Sequence, residues 1–414
     1  MPQGAIAKIL FAGYSRAAFS TIVPTFPLLI EKGINFAFLS GYLHPPTPEQ
    51  LRGLVVFSPP LLMQGDAWML SRTSGSDMLS AILKTGVIPK VLHRLTRNSQ
   101  DLRQAVVGWQ NHYFAFAEDT LKTYKPDLVI LSIGGVDPQI TAWCCRRQRI
   151  RYGFMLSQVA EFKYVTPLFV SDRQAFYIVS GEFGRRRLAA AEVPGEKILI
   201  VGSPRFDELF EMRKKLSRQA RPCQSPFKIL YTTQGILENK ILFEHLTRYL
   251  EERENVHLLL RPHPAPPPSP AENPKRYVPL IKNGIAARVS ISAAGPLIDQ
   301  LICADILVSV SSLTMLEALI LSVPVVSWKS VFFPDEIPFG ASGDALQAFD
   351  YPTLRKSLDQ LLFEPSFRES WQISHKNSFL KYISHSDGKA SLRVVETFES
   401  QLALNKKIRH ASPV

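Results

Sequence analysis

Three short segments in the second half of the chain carry residue types suited to a phosphorylated ligand: Thr232-Thr233-Gln234-Gly235, Arg261-Pro262-His263-Pro264 and Ser311-Ser312-Leu313-Thr314-Met315-Leu316-Glu317. Imidazole and guanidinium groups donate charge-assisted hydrogen bonds to phosphate. Pro262 and Pro264 each fix a backbone angle, so His263 leaves its strand with little freedom. Ser311 and Ser312 precede a helical pattern, and the first amides of a helix have no acceptor within it. Such a start attracts phosphate through those amides and the helix dipole, and serine hydroxyls can add hydrogen bonds. Glu317, one turn further on, could accept from ribose hydroxyls. The pattern Thr314-x-x-Glu317 also spells a capping box that would serve only the helix. Thr233 and Gln234, in a loop with glycine, permit close approach of a nucleotide, although a plain turn explains them as well.

The first half offers groups of another kind. Ser15 and Arg16 follow one apolar run, Asp137 follows Gly134-Gly135, and Gln158 and Glu161 follow a further apolar run. Asp137 or Glu161 could act as general base on an attacking hydroxyl, though most exposed carboxylates do nothing of the kind. No Asp-x-Asp pair and no cysteine spacing suggests a metal. The four cysteines, Cys144, Cys145, Cys223 and Cys303, fit reduced thiols.

These groups need strands to carry them to a common edge. Apolar runs predict strands at 8–12, 35–39, 126–132, 151–156, 175–179 and 198–201, and a second set at 228–231, 257–260, 306–310 and 324–328. Helical spacing predicts helices at 19–32, 78–95, 102–124 and 314–321, with others running through Trp143 and Arg253. Strands alternating with helices call for parallel sheets. A charged run that fades into a Pro-containing stretch, between residues 210 and 227, marks a boundary. We expect two Rossmann-like domains, at 1–215 and 226–385, and a closing segment 386–414 that is helical over 389–402 and packs back on the first. Loops at the strand ends of an open α/β sheet converge on one crevice, so the three motifs are expected to share a site.

Hydrophobic residues at 46% and charged residues at 20% exclude a disordered chain. Lys and Arg number 48 against 36 Asp and Glu, and the net charge of +12 favours partners with phosphate or carboxylate groups. The arginines at 146, 147, 149 and 151, and at 185–187, read as solvated faces that could also meet an anionic membrane. Without interleaved aromatics they make no nucleic-acid platform. The opening residues lack a signal-peptide core, and no uninterrupted apolar run of about eighteen residues exists. A soluble, cytoplasmic protein is expected, able to sit peripherally at the inner face of the membrane.

The segments EFGRRRLAAAEVPGEKILIVGSPRFDEL, KILYTTQG, LLLRPHP and ADILVSVSSLTMLEALILSVPVV resemble bacterial surface-polysaccharide transferases of the GT-B fold. The likeness is to the broad group that contains CDP-glycerol glycerophosphotransferases and related capsule or lipopolysaccharide enzymes. The His-Pro and Ser-Ser pairs are similar to motifs with which bacterial sialyltransferases and some Kdo transferases hold CMP. The resemblance spans about residues 175–330, the opening strand–helix–strand and the closing SDGKASLRVVETF.

It implies an α/β GT-B architecture, two Rossmann-like doubly wound domains facing across a cleft, and a metal-independent transferase. A glycosyl or glycerophosphate group would pass from a CMP-, CDP- or UDP-linked donor to a surface-polysaccharide or lipopolysaccharide acceptor, saccharide or lipid-linked. Thr233, Gln234, Arg261, His263, Pro264, Ser311, Ser312, Thr314 and Glu317 would bind the nucleotide, and Asp137 or Glu161 would serve as base. No cofactor is expected beyond the donor, which is substrate. Relatives often carry a His-Gly pair where this chain reads Ser157-Gln158-Val159-Ala160-Glu161, which leaves the base without its usual signature. UDP-N-acetylglucosamine epimerases share the fold and stand as the alternative, as does a non-catalytic nucleotide- or glycan-binding relative.

Overall fold

The computed structural model describes residues 6–14, 16–40, 49–59, 100–132, 136–156, 167–216, 226–233, 238–263, 274–292, 294–310, 312–331 and 337–411. The chain divides into two compact units, Met1–Asp207 with Tyr382–Val414, and Glu208–Lys381.

Unit 1 contains β1 (Lys8–Ala12), β2 (Asn35–Leu39), β3 (Val55–Phe57), β4 (Leu128–Ser132), β5 (Tyr152–Met155), β6 (Ala175–Val179) and β7 (Ile198–Ile200). They form one seven-stranded sheet in the order β3-β2-β1-β4-β5-β6-β7, every pair parallel. Parallel strands return through crossovers that cover both faces. That is why β4, β5 and β6 are unbroken runs of buried residues. The helices are α1 (Arg16–Phe19), α2 (Phe26–Glu31), α3 (Gln100–Tyr124), α4 (Val136–Arg147), α5 (Pro167–Val170) and α6 (Glu182–Ala190). Helix α7 (Asp207–Leu216) begins on the last residue of this unit.

Unit 2 repeats the plan with β8 (Phe227–Thr232), α8 (Glu238–Glu252), β9 (Val256–Arg261), β10 (Val289–Ile291), α9 (Leu297–Cys303), β11 (Ile306–Ser309), α10 (Leu313–Ile320), β12 (Val325–Trp328), β13 (Leu346–Ala348), α11 (Tyr351–Phe363) and α12 (Pro365–His375). Its six strands run β10-β9-β8-β11-β12-β13, again all parallel. Both sheets therefore have the 3-2-1-4-5-6 order of a Rossmann fold, with one strand more in unit 1.

The closing helix α13 (Ala390–Ala411) belongs to unit 1. Val394, Val395, Phe398 and Leu402 make one buried stripe that enters the same core as Phe11 and Phe38. Phe11 stacks on Phe38 at 5.3 Å and meets the Phe398 ring at 6.0 Å. Polar contacts fasten the helix along its length. Asp207 accepts from the Ala390 and Ser391 amides, both at 2.8 Å, and Arg393 Nε donates to Val201 O at 2.9 Å. Further on, Asn405 donates to Asp127 O at 2.7 Å.

Some sequence expectations need correction. The helix expected at 19–32 is broken into α1, a 3-10 turn Val23–Thr25 and α2. Pro24 and Pro27 each sit in the first turn of their own short helix, where a missing N–H costs nothing. Strands β3, β10 and β13 were not expected; each has three residues with at most one buried, so no apolar run announces them. Arg151 is not part of a solvated face. It is 8% exposed, lies over the Phe176 ring and donates from Nε to Gln401 Oε1 of α13 at 2.7 Å. The helix expected at 78–95 and Cys223 lie outside the described residues. Cys144, Cys145 and Cys303 are free thiols, and burial pushes Cys144 up to about 12. No described helix is long and apolar enough to cross a membrane.

Candidate functional site

In a sheet ordered 3-2-1-4-5-6, the connections from strands one and four leave on opposite faces and open a crevice at their carboxyl ends. In unit 2 those strands are β8 and β11. Thr232 pairs in register with Arg261 on one side and Ser309 on the other, so β9, β8 and β11 end level. Hydroxyls lock these ends. Ser309 Oγ donates to Thr232 O at 2.8 Å and accepts from Thr232 Oγ1 at 2.9 Å. Thr233 then joins the next two loops: its N–H donates to Arg261 O at 3.2 Å, and its Oγ1 accepts the His263 N–H at 3.0 Å. His263 is thus held by its backbone while the residue stays exposed.

Helix α10 starts just past the end of β11. Ser312 is its N-cap, in extended backbone, and Ser312 Oγ accepts the Thr314 N–H at 3.2 Å and donates to Thr314 Oγ1 at 3.0 Å. The capping box read at Thr314 and Glu317 does not form. The helix begins at Leu313, so Thr314 already lies inside the first turn and the capping task falls to Ser312. Glu317 sits one turn further in, 9% exposed. It shares a local field with Arg261, whose pKa is lowered by burial while Glu317 acts in the opposite sense. Arg261 itself is engaged: Nη1 donates to Gln300 Oε1 at 2.9 Å and Nη2 to Gly295 O at 3.0 Å.

Glu238 escaped the sequence reading. It opens α8, is 4% exposed, and accepts from Ser330 Oγ at 2.6 Å and the Val331 amide at 2.9 Å. A carboxylate in a helix's first turn complements the dipole, and that placement after β8 is the signal that was available. Here it pins the loop after β12 to the same edge of the sheet.

The corresponding positions of unit 1 follow β1 and β4. Gly13 has φ +73°, and a Cβ there would lie 2.8 Å from the Pro138 ring, so only glycine lets this turn pack on α4. Asp137, in the first turn of α4, is 6% exposed, and its carbonyl accepts from Thr141 Oγ1 at 2.9 Å. Of the residues singled out in the sequence, Thr233, Arg261, His263, Ser312, Thr314 and Glu317 meet at one sheet edge in unit 2, and Asp137 stands at the equivalent edge of unit 1. Ser15, Gln158, Glu161, Gln234, Pro264 and Ser311 lie outside the described residues. Among the described residues, no group of three or more His, Cys, Asp or Glu could hold a metal ion.

A scan against protein-family models finds no match, and neither does a search of curated proteins. Solved structures do match. A Listeria monocytogenes protein assigned as a UDP-N-acetylglucosamine 2-epimerase superposes with a TM-score of 0.63 at 14% identity, over 96% of this chain and 97% of its own. The UDP-GlcNAc 2-epimerase from Neisseria meningitidis, solved with UDP-GlcNAc bound, gives 0.57 at 16% identity, over 95% and 100%. The glycotransferase of kitacinnamycin gives 0.59 at 12% identity, over 96% and 99%. The fold is therefore the expected GT-B type, two parallel-sheet α/β units. The finer likeness to CDP-glycerol transferases rests on the motifs alone.

Proposed function

We propose that this chain is an enzyme that binds a nucleotide-activated sugar at the carboxyl edge of the unit 2 sheet and transfers its glycosyl group to an acceptor hydroxyl. The observation that carries this reading is the start of α10 at the β8/β11 switch point, at the same sheet edge as the exposed His263. A helix start with a serine cap presents amide dipoles to a phosphate, and an imidazole adds a charge-assisted donor. Those groups would stabilise the nucleotide leaving group as its bond to the sugar lengthens. Glu317 would meet the ribose, and Thr233 would keep the His263 loop in place. Asp137 would take the proton of the acceptor hydroxyl. The neighbours' own ligand, UDP-GlcNAc, supports a nucleotide sugar as donor. CMP- and CDP-linked donors, a glycerophosphate as the group transferred, and a surface-polysaccharide or lipopolysaccharide acceptor belong to the reading from the motifs. A net charge of +12 supports a phosphate-bearing acceptor or peripheral association with anionic lipid.

A second reading, epimerisation of the sugar, is favoured by the names of several of the similar structures. One experiment separates the two. The chain is incubated with UDP-, CDP- and CMP-linked sugars, with and without saccharide or lipid-linked acceptors. Release of nucleotide only with acceptor is the expected result. Conversion of the sugar without acceptor would establish the epimerase. Neither outcome, together with measurable nucleotide binding, would leave a binding protein.

A further inference from the structure

The positive charge of the chain is unevenly divided. Unit 1 carries 28 Lys and Arg against 18 Asp and Glu, and unit 2 carries 20 against 18. Unit 1 is therefore the part that an anionic surface would attract. In its sheet, β4, β5 and β6 are neighbours, with Val129 opposite Tyr152 and Tyr152 opposite Ala175. The residues leading into these strands place Lys125, Arg149 and Arg173 along the amino edge, on successive strands about 4.8 Å apart. All three are exposed, and among the described residues none of them makes an ion pair. Lys125 has φ 52° and Arg149 has φ 54°. Each follows a helix, α3 or α4, at the place where glycine is favoured, so both helices end on a cation where glycine would cost the backbone less.

Helix α4 extends this row. Trp143 is 40% exposed, and the Arg146 guanidinium lies 5.8 Å from the centre of its ring. Arg146 Nε is also 3.8 Å from Asp172 Oδ2, which ties the end of α4 to the residues before β6. Nearby carboxylates are already engaged. Asp172 is buried and accepts from Tyr152 Oη at 2.8 Å and from the Gln174 amide at 2.9 Å. Asp127 accepts the Lys8 amide at 3.1 Å, and Glu118 lies 3.3 Å from Lys122 Nζ and 3.9 Å from Arg147 Nη2. The row stops at β6, because Lys197, before β7, turns its ammonium onto Val170 O and Asp172 O. The other basic run is held differently: Arg185 and Arg186 both pair with Glu182, at 2.6 and 3.1 Å.

We propose that this amino edge of the unit 1 sheet, through Trp143, Arg146, Arg149 and Arg173, docks the protein on a bilayer that contains anionic lipid. Arginine meets lipid phosphate through charge-assisted hydrogen bonds, and tryptophan is favoured at the level of the headgroups. The inference rests on the peripheral association put forward above and assigns it to one surface. Asp137 stands at the opposite end of the strands, so a bilayer held here leaves that edge open to an acceptor.

The test is binding of the full chain to vesicles of phosphatidylcholine, alone or mixed with phosphatidylglycerol, with melting temperatures recorded. One variant combines Arg146→Gln, Arg149→Gly and Arg173→Gln, and the glycine suits the left-handed backbone at its position. A comparison variant removes as many charges from α6, by Arg185→Gln, Arg186→Gln and Arg187→Gln. The parent is expected to bind only the anionic vesicles. The first variant should lose about a hundredfold in affinity, at about fivefold for each cation near an anionic surface, and the second much less. Brominated lipid should quench tryptophan fluorescence in the parent and far less in Trp143→Phe. No loss in the first variant, equal losses in both, or quenching that survives Trp143→Phe overturns the docking surface and leaves peripheral association standing. Binding of the parent to inorganic polyphosphate but not to vesicles also overturns it, in favour of a soluble polyanion. A parent that binds neither refutes the peripheral association together with this inference.

Discussion

His263 and Ser312 stand a few residues from their strand ends, yet the structure gives them different tasks. His263 is held by its backbone amide on Thr233 Oγ1, a bond that a change of its side chain leaves in place. Ser312 uses its hydroxyl to cap α10. His263→Ala should therefore weaken nucleotide binding by about 1–3 kcal/mol, the worth of a charge-assisted contact, with little change in melting temperature. Ser312→Ala should cost about 1 kcal/mol of stability through the lost cap, in addition to any loss of binding. Calorimetry and thermal melts on the two variants check both statements. If His263→Ala melts lower but binds as the parent does, the loop is structural. The sequence pattern showed that both residues follow strands. It did not show which of them caps the helix, because Thr314-x-x-Glu317 satisfies the capping-box pattern and only the helix start at Leu313 decides against it. An arginine beside a histidine suggests phosphate, and the sequence pattern does not show that Arg261 also bonds Gln300, thirty-nine residues away.

At the level of elements, the interior strands and the edge strand β7 were legible, and the other edges were not. β8 and β11 are runs such as ILYT and ILVS whose residues are almost all buried, so hydrophobicity alone delimits them. β3, β10 and β13 are short and half-exposed, and they owe their pairing to the neighbour already in place. The closing helix could be recognised from Val394, Val395, Phe398 and Leu402, but not the way it is anchored. Its first turn is held by Asp207, and just before it Asp387 takes both arms of Arg393, Nη1 at 2.7 Å and Nη2 at 3.0 Å. Arg393, together with the Lys389 amide, holds the Asp387 carboxyl well below the usual carboxylate range. A depressed folded-state pKa contributes stability above the unfolded value, about 4, and that contribution is lost as pH falls below it toward the folded value. Thermal melts from neutral pH down to about pH 3 should therefore show a steeper loss in the parent than in Asp387→Asn. Equal acid sensitivity would mean that the pair contributes nothing. Exposure of Asp387 limits the effect, so the slope rather than the absolute melting temperature is the informative quantity.

For the molecule as a whole, the repeated strand order in the two units places a carboxyl-edge switch point in each sheet. The motifs of the second half fall on one of them and Asp137 on the other. This is the part of the account that composition and single motifs could not supply, because His-Pro, Ser-Ser and Thr-Thr acquire a shared meaning only once β9, β8 and β11 are known to end level. The direct measurement of the central claim is hydrogen exchange of the full chain, followed by mass spectrometry, with and without a saturating pyrimidine nucleoside diphosphate. Slower exchange is expected in peptides covering Thr232–Thr233, Arg261–His263 and Ser312–Leu316, the segments that would hold or support the phosphate in the proposed site. Protection absent from all three segments, or confined to unit 1, would contradict a nucleotide site at the edge of the unit 2 sheet.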